Sequence, residues 1–247
     1  MNPAFASTPL VRLLSQWTPA APPEAGMGMG DQLAQWVSAF DAISLHAALR
    51  AIQAMGPVAA RAPAPGRRPV PPAALARDFA QVRSQQARAI AQAPALPNEF
   101  TYAPYKRRHL ELQRQMGLAV DALRQRVRDA LVQAGPALQQ LAALDAAMDN
   151  VIAPREQALL PVAVTVLERR FGQLQAAHLK ALADARQALP DGSEAHGDDP
   201  MLWRRPGAWL HHFEQDWQQA LHAELDLRLE PVAGLIEATG VELNHSP

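Results

Sequence analysis

The chain has 247 residues, a formal net charge of −1 at pH 7, 49% apolar residues and only 5% aromatic residues. This length suits one large or two small domains. A net charge this small does not indicate electrostatic attraction of the whole protein to nucleic acid or to a membrane surface. The lack of cysteine excludes disulfides, thiolate catalysis and cysteine-ligated zinc. Because Leu, Ala, Gln and Arg dominate while β-branched residues are scarce, the composition favours an all-α fold.

The first 55 residues predict an N-terminal helical unit. Thr8-Pro9 supplies a cap and a proline at the first helical position, which begins a short helix through Trp17. Asp31 caps a second helix with one apolar face, formed by Leu33, Trp36, Val37, Phe40, Ile43, Ala47 and Ile52. Two helices with so little apolar area are marginal alone, so we expect this unit to dock on the rest of the chain or on a partner.

Residues 56–72 predict a flexible, proline-rich linker, because six prolines remove backbone donors and few bulky side chains are present. A helical bundle domain follows over 73–240. It begins with a weakly amphipathic helix from Pro72 to Ala93.

An antiparallel helical hairpin over 103–189 forms the predicted core of this domain. Two apolar seams of period 3.5 flank a Gly135-Pro136 break, and such a break between two seams is typical of a hairpin. The seams consist of Met116, Val120, Leu123, Val127, Ala130 and Ala134, then Leu160, Val164, Leu167, Phe171, Leu174, His178, Ala181 and Ala185. We expect Leu123, Val127, Leu167, Phe171 and Leu174 to form the central core. Pro154 and Pro161 predict interruptions of the second helix.

An acidic loop over 190–200 and a C-terminal amphipathic helix over 203–238 complete the predicted architecture. Pro231 should kink that helix, and Gly240 should terminate it. Charge is unevenly distributed: residues 1–190 hold 20 Lys and Arg against 13 Asp and Glu, and residues 191–247 hold 3 against 11. The two parts should attract each other, within one chain or between copies.

Motifs for chemistry are missing from the sequence. It has no G-x-S-x-G, no phosphate-binding loop and no two Glu-x-x-His motifs on facing helices, so we predict no catalytic, cofactor or metal-binding residues. His178 interrupts an apolar seam. It could serve as a ligand or pH switch, but we favour the interpretation that it is a hydrogen-bonded histidine at the edge of the core. The chain also lacks a signal sequence and any stretch of ~20 apolar residues, so we expect a cytoplasmic protein without direct membrane insertion.

Two surfaces are candidates for binding. A basic patch on the first hairpin helix comprises Lys106, Arg107, Arg108, Arg114, Arg124 and Arg128. It could follow nucleic-acid phosphates, but a solvated or partner-paired face is favoured because the whole chain is slightly acidic. The second surface is a partner or self-association interface on the C-terminal helix, formed by Trp209, Phe213 and Trp217 beside Glu214 and Asp216. The alternative is that these aromatic residues cap the hairpin core.

Several ordered segments resemble an uncharacterised, Burkholderia-like proteobacterial family of all-helical proteins, classified as a domain of unknown function. They are YKRRHLELQRQM (105–116), LAALDAAMD (141–149), APREQALLP (153–161), LERRF (167–171) and AELDLRLEPVAGLIEA (223–238). The family has no established catalytic or ligand residues, so no roles carry over. The resemblance implies an accessory role in the cytoplasm beside an envelope-associated complex.

The sequence therefore predicts a non-enzymatic interaction or scaffold protein that binds protein partners or itself. A helical nucleic-acid-binding module that uses the basic patch is the alternative.

Overall fold

The computed structural model describes residues 9–17, 46–47, 49–50, 52, 70–94, 101–187, 198–241 and 243, without the side chains of residues 11, 152 and 154–159. Within these residues every regular element is helical, as predicted. The long helices are α1 (Pro9–Trp17), α2 (Pro72–Ile90), α3 (Ala103–Ala134), α4 (Pro136–Gln187) and α5 (Trp209–Glu237). A short 3-10 helix, Pro200–Leu202, precedes α5.

The hairpin of α3 and α4 forms as predicted. Gly135 joins the two helices with φ of 146°, a backbone conformation that favours glycine. Near the turn Arg124 contacts Asp145, and at the other end the Tyr102 hydroxyl donates to the carbonyl of Val164. Residue numbers therefore rise along one helix as they fall along the other, so the helices are antiparallel.

Helix α5 lies beside three helices of the domain. Tyr105 and Gln113 of α3 contact Glu214 and Glu224 of α5, so α3 and α5 run parallel. Both α2 and α4 run antiparallel to α5 and pack on it, and α2 also packs on α3. The result is a four-helix bundle in which α3 and α5 form the central pair.

One hydrophobic core runs through the bundle. Leu123, Val127, Leu167 and Phe171 are buried in it as predicted, and Leu174 is partly buried at its edge. The ends of the predicted seams differ, because Ala134, Ala181 and Ala185 are exposed. Ala181 and Ala185 lie beyond the overlap of α3 and α4, where no opposing helix among the described residues covers them, and Ala134 is the last residue of α3 beside the turn.

Helix α1, part of the predicted N-terminal unit, packs on α4 and α5, and its Leu13 and Trp17 are buried in the common core. The predicted linker, except its last three residues, lies outside the described residues, as do the predicted second helix up to residue 45 and most of the acidic loop.

The interruptions predicted at Pro154 and Pro161 are wrong, because α4 continues through both as one helix of 52 residues. Helix α5 is also continuous through Pro231, and the predicted kink there stays a prediction. A proline removes one backbone hydrogen bond of a helix, but packing on neighbouring helices can hold the remaining turns together.

The start of the C-terminal helix was also predicted wrongly. It begins at Trp209 instead of residue 203, because Gly207 adopts φ of 88° and separates it from the preceding turn. Its end was predicted well: the backbone N–H of Gly240, whose φ is 86°, donates to the carbonyl of Glu237.

The attraction between the basic and acidic parts of the sequence is realised within one chain. Arg83 of α2 pairs with Asp226 over 3.2 Å, and Arg170 of α4 pairs with Asp216 over 2.8 Å. Acidic residues of α5 are thus matched to basic residues of the helices around it.

Candidate interaction site

The aromatic residues predicted to face a partner lie in the core. Trp209, Phe213 and Trp217 are 7%, 0% and 0% exposed. The Phe213 ring packs edge-on against Tyr105 and Phe171, with 5.0 Å between ring centroids in each case. These side chains join α5 to the hairpin, so the capping alternative describes them; Phe213 and Trp217 are fully covered, and only an edge of Trp209 stays exposed.

The acidic residues beside them are paired inside the chain. The Tyr105 hydroxyl donates to Oε1 of Glu214 over 2.6 Å, and Arg204 binds the same carboxylate over 2.7 Å. Burial, followed by the hydrogen bond to Glu214, raises the pKa of the Tyr105 hydroxyl well above its ordinary value. Asp216 is held by Arg170. This network fixes the start of α5 on α3 and α4.

Four members of the predicted basic patch have internal partners. Arg124 and Arg128 are mostly buried, and both bind Asp145 and Asp149 across the hairpin over 2.5–2.9 Å. Lys106 of α3 lies 3.9 Å from Glu168 of α4, and Arg108 lies 3.2 Å from Glu111 within α3. Much of the predicted patch therefore neutralises carboxylates of this chain.

Arg107 and Arg114 are exposed, and no charged partner contacts them within the described part of the chain. Arg114 lines a groove of about 460 Å³ together with Leu110 and Leu118, which are also exposed. The structure thus leaves two cations of the predicted patch available on the surface of α3.

A different surface, which we call the terminal groove, lies at the end of the bundle. Helix α4 extends past the start of α3, because α4 has 52 residues and α3 has 32. The chain segment before α5 packs beside this extension and leaves a groove of about 510 Å³. Apolar side chains make up most of its lining: Leu174, Ala177, Leu182, Leu202, Trp203 and Trp209.

Three polar side chains organise one wall of the terminal groove. Oδ1 of Asp198 accepts from Nε1 of Trp203 over 2.6 Å and lies 3.0 Å from Nε2 of His178. The imidazole also stacks on Trp209, with 6.0 Å between ring centroids and 27° between planes. His178 is thus a hydrogen-bonded histidine at the core edge, as the favoured interpretation predicted. Trp209 lines the groove, and its buried Nε1–H has no hydrogen-bond acceptor among the described residues.

Exposed apolar side chains form what we call the rim of the terminal groove: Leu202 lines the groove, and Met201 and Leu179 are each next in sequence to a lining residue. Met201 is 76% exposed, Leu179 is 54% exposed and Leu202 is 39% exposed. Leu179 follows His178 directly and lies three residues before Leu182, so it sits on the groove's edge of α4. A groove whose lining and rim are both apolar is typical of a site that binds another apolar surface.

A buried polar cluster joins α3 to α5 away from this groove. Glu224 is 2% exposed, and it accepts from Gln113 over 2.9 Å and from Arg228 over 2.8 Å. His109 is fully buried, and its ring nitrogens have no hydrogen-bond partner within the described ranges. Burial lowers the pKa of His109 to about 4. The carboxylate of Glu224, 3.8 Å away, is already neutralised by Arg228 and offsets this little.

No three His, Asp or Glu side chains of the described residues converge as metal ligands would. Among the helices described, none combines the length and apolar character needed to cross a bilayer.

These features define an all-helical bundle protein with an apolar groove at one end. Within that class, the chain belongs to the family named Protein of unknown function (DUF3348), whose model matches residues 1–240. No curated protein and no solved structure matches the chain.

Sequence reasoning missed Leu179, Asp198, Met201 and Leu202 as site residues. One signal could have found the groove. A hairpin with a one-residue turn leaves the longer helix uncovered beyond the length of the shorter one, and the predicted hairpin extends much further after the Gly135-Pro136 break, to residue 189, than before it.

Proposed function

We propose that this chain is a non-enzymatic protein-interaction protein whose binding site is the terminal groove. The observation that carries the proposal is the exposure of Leu179, Met201 and Leu202 around a groove that is itself lined by apolar and aromatic side chains. Covering such side chains releases water from apolar surface, which is the main driving force of protein association. Aromatic residues at the base of a pocket are typical of interface hot spots.

The lining also specifies the chemistry of the ligand. An apolar side chain of a partner would fill the space between Leu174, Leu182 and Trp209. The carboxylates of Asp198 and Asp199 lie in the same groove and favour a cationic group beside that apolar side chain. An amphipathic helix that carries leucine or methionine next to lysine or arginine meets both requirements.

We further propose that the protein acts in the bacterial cytoplasm as an accessory or scaffold component of a larger assembly. The resemblance to Burkholderia-like proteobacterial proteins supports this setting, because it implies an accessory role beside an envelope-associated complex. A nucleic-acid ligand has less support, because Arg124 and Arg128 of the basic patch are occupied by Asp145 and Asp149.

The test is a quantitative comparison of partners captured by tagged variants from cells that express the protein naturally. Leu179→Glu places a charge on the groove rim, and Leu118→Glu is a matched control because Leu118 is 62% exposed on α3. Each protein lost from the Leu179→Glu sample and kept by the control is then purified and its affinity measured. We expect at least ~10-fold weaker binding to Leu179→Glu, a loss of about 1.4 kcal/mol. Equal capture by both variants would contradict the proposal.

A further inference from the structure

We infer that the outer face of α3 binds a second copy of this chain, so that two copies associate through antiparallel α3 helices about a two-fold axis. This outer face consists of exposed residues only: Arg107, Glu111, Arg114, Leu118, Asp121, Gln125 and Asp129. The inference goes beyond the proposed function, because no residue of α3 lines the terminal groove.

The outer face has the spacing at which two helices pack along their length. Its positions from Arg107 to Gln125 are separated by 4, 3, 4, 3 and 4 residues, which is a period of 3.5. The buried seam of α3 from Met116 to Val127 has the same period and packs into the bundle. Helix α3 therefore carries a second seam on its other side, which no helix among the described residues covers.

Leu118 supplies an apolar contact at the centre of the outer face. It is 62% exposed, more than any other large apolar side chain described in α3 or α4. A residue on a two-fold axis meets its own equivalent in the other copy. With Leu118 on that axis, the two leucine side chains pack on each other and both leave water.

The uncompensated charges of the outer face change sign at Leu118. Arg107 and Arg114 precede it, Asp121 follows it, and none of these three has a charged partner within the described ranges. Asp129 also follows Leu118 and accepts a hydrogen bond from the neutral amide of Gln125 over 2.9 Å, which does not compensate its charge. The first half of the face is thus cationic and the second half is anionic.

The remaining charged side chains of α3 all have charged partners within the chain. They are Lys106, Arg108, Glu111, Arg124, Arg126 and Arg128. The two arginines and two aspartates of the outer face are therefore the charges of α3 that another molecule can neutralise.

An antiparallel arrangement brings these four charges together with opposite signs. With Leu118 of each copy on the axis, residues equally far from it along α3 face each other. Arg107 and Asp129 each lie eleven residues from Leu118, and Arg114 and Asp121 lie four and three residues from it. Each copy offers two cations to two carboxylates of the other, whereas parallel α3 helices would bring like charges together.

The first experiment measures mass against concentration by analytical ultracentrifugation of the full chain. Wild type should form dimers with a dissociation constant below about 0.5 mM, since contacts of this limited size are weak. Leu118→Glu places two like charges on the axis and should raise that constant at least ~10-fold. The matched control is Leu179→Glu, because Leu179 is 54% exposed on α4 outside this face, and it should leave the constant unchanged. Circular dichroism of each variant checks that the helices are retained.

The second experiment uses the lack of cysteine in the chain. Leu118→Cys should form a disulfide-linked dimer under mild oxidation, because a residue on the axis meets itself, and Leu179→Cys should not.

Charge exchange gives a third measurement. Arg114→Glu and Asp121→Arg should each weaken the dimer, because each brings like charges together across the axis. The double variant should regain affinity, since the same contact is restored with reversed signs.

Three results would overturn the inference. They are a wild-type chain that stays monomeric up to about 0.5 mM, equal weakening of the dimer by Leu118→Glu and Leu179→Glu, and loss of the dimer from Leu179→Glu alone. If wild type is monomeric but Leu118→Glu loses a captured protein, a different partner covers this face and the inference is wrong. The proposed function is judged separately, by the proteins that Leu179→Glu fails to capture.

Discussion

The side-chain amide of Gln113 donates to Oε2 of Glu224 over 2.9 Å, and both side chains are buried between α3 and α5. Because these helices are parallel, a shift of either by one turn would separate donor from acceptor and leave the carboxylate with Arg228 alone. A buried carboxylate that loses a hydrogen bond is costly, so this contact selects one alignment of the central helix pair.

Replacing Glu224 by alanine should therefore lower the free energy of unfolding by about 3 kcal/mol. The loss arises because Gln113 and the largely buried guanidinium of Arg228 are left without their acceptor. Urea denaturation measures it, and Glu230→Ala, at an exposed position of the same helix, should change stability by less than about 0.5 kcal/mol. Similar values for the two variants would show that Glu224 is not a structural residue.

His109 should make the stability of the protein depend on pH. Burial lowers its pKa to about 4 in the folded chain, whereas an ordinary histidine has a pKa of 6.5, so between these pH values the unfolded chain binds more protons. Stability should be fully present above about pH 6.5 and fall as the pH drops toward 4, by about 3 kcal/mol in total. The measurement is the free energy of unfolding at several pH values. In His109→Phe this component should disappear, and an unchanged pH profile would show that another group causes the loss.

The contact between Arg128 and Asp145 should contribute to the hairpin beyond ordinary surface ion pairs. Nε of Arg128 donates to Asp145 over 2.6 Å, and both side chains are at most 14% exposed. A double-mutant cycle of Arg128→Ala and Asp145→Ala should give a coupling free energy of about 1–3 kcal/mol. A coupling free energy below about 0.3 kcal/mol would show that this ion pair contributes no more than an exposed surface pair. The exposed pair Arg126–Asp78 provides the comparison, with an expected coupling of about 0–1 kcal/mol.

Phe171→Ala should cost about 3–5 kcal/mol of stability, because the ring is 5% exposed and lies among Tyr102, Trp209 and Phe213. The near-ultraviolet circular dichroism of the aromatic cluster should change as well. Leu118→Ala, at an exposed position, should stay within about 0.5 kcal/mol of wild type. A small change in the free energy of unfolding for Phe171→Ala would contradict the burial of this ring in the core.

The helices that the sequence predicts best are those with a sustained apolar period. The seam through Leu123 and Val127 identified α3, because a buried stripe must repeat wherever a helix meets its neighbours. Pro154 and Pro161 misled the prediction of α4. The rule that proline breaks a helix considers only the helix itself and leaves out its packing on neighbouring helices.

The candidate site was less predictable, for a physical reason. The spacing of Trp209, Phe213 and Trp217 indicates that they share a face, but the same spacing serves a core and an interface equally. What covers that face depends on which helices assemble around it, and here they belong to the same chain. The terminal groove likewise arises from the relative position of two helix ends, which follows from the unequal lengths of α3 and α4 and not from the pattern of either helix alone.

The central place of α5 affects how the newly made chain can fold. This helix contacts α1, α2, α3 and α4, yet it is the last of them to be synthesised. At about 5–20 residues per second, several seconds separate the appearance of α3 from that of α5. During this interval the faces of α3 and α4 that await α5, including Phe171, are exposed to other molecules in the cell. Chaperones that shield such surfaces should therefore affect the yield of soluble protein more strongly than its final stability.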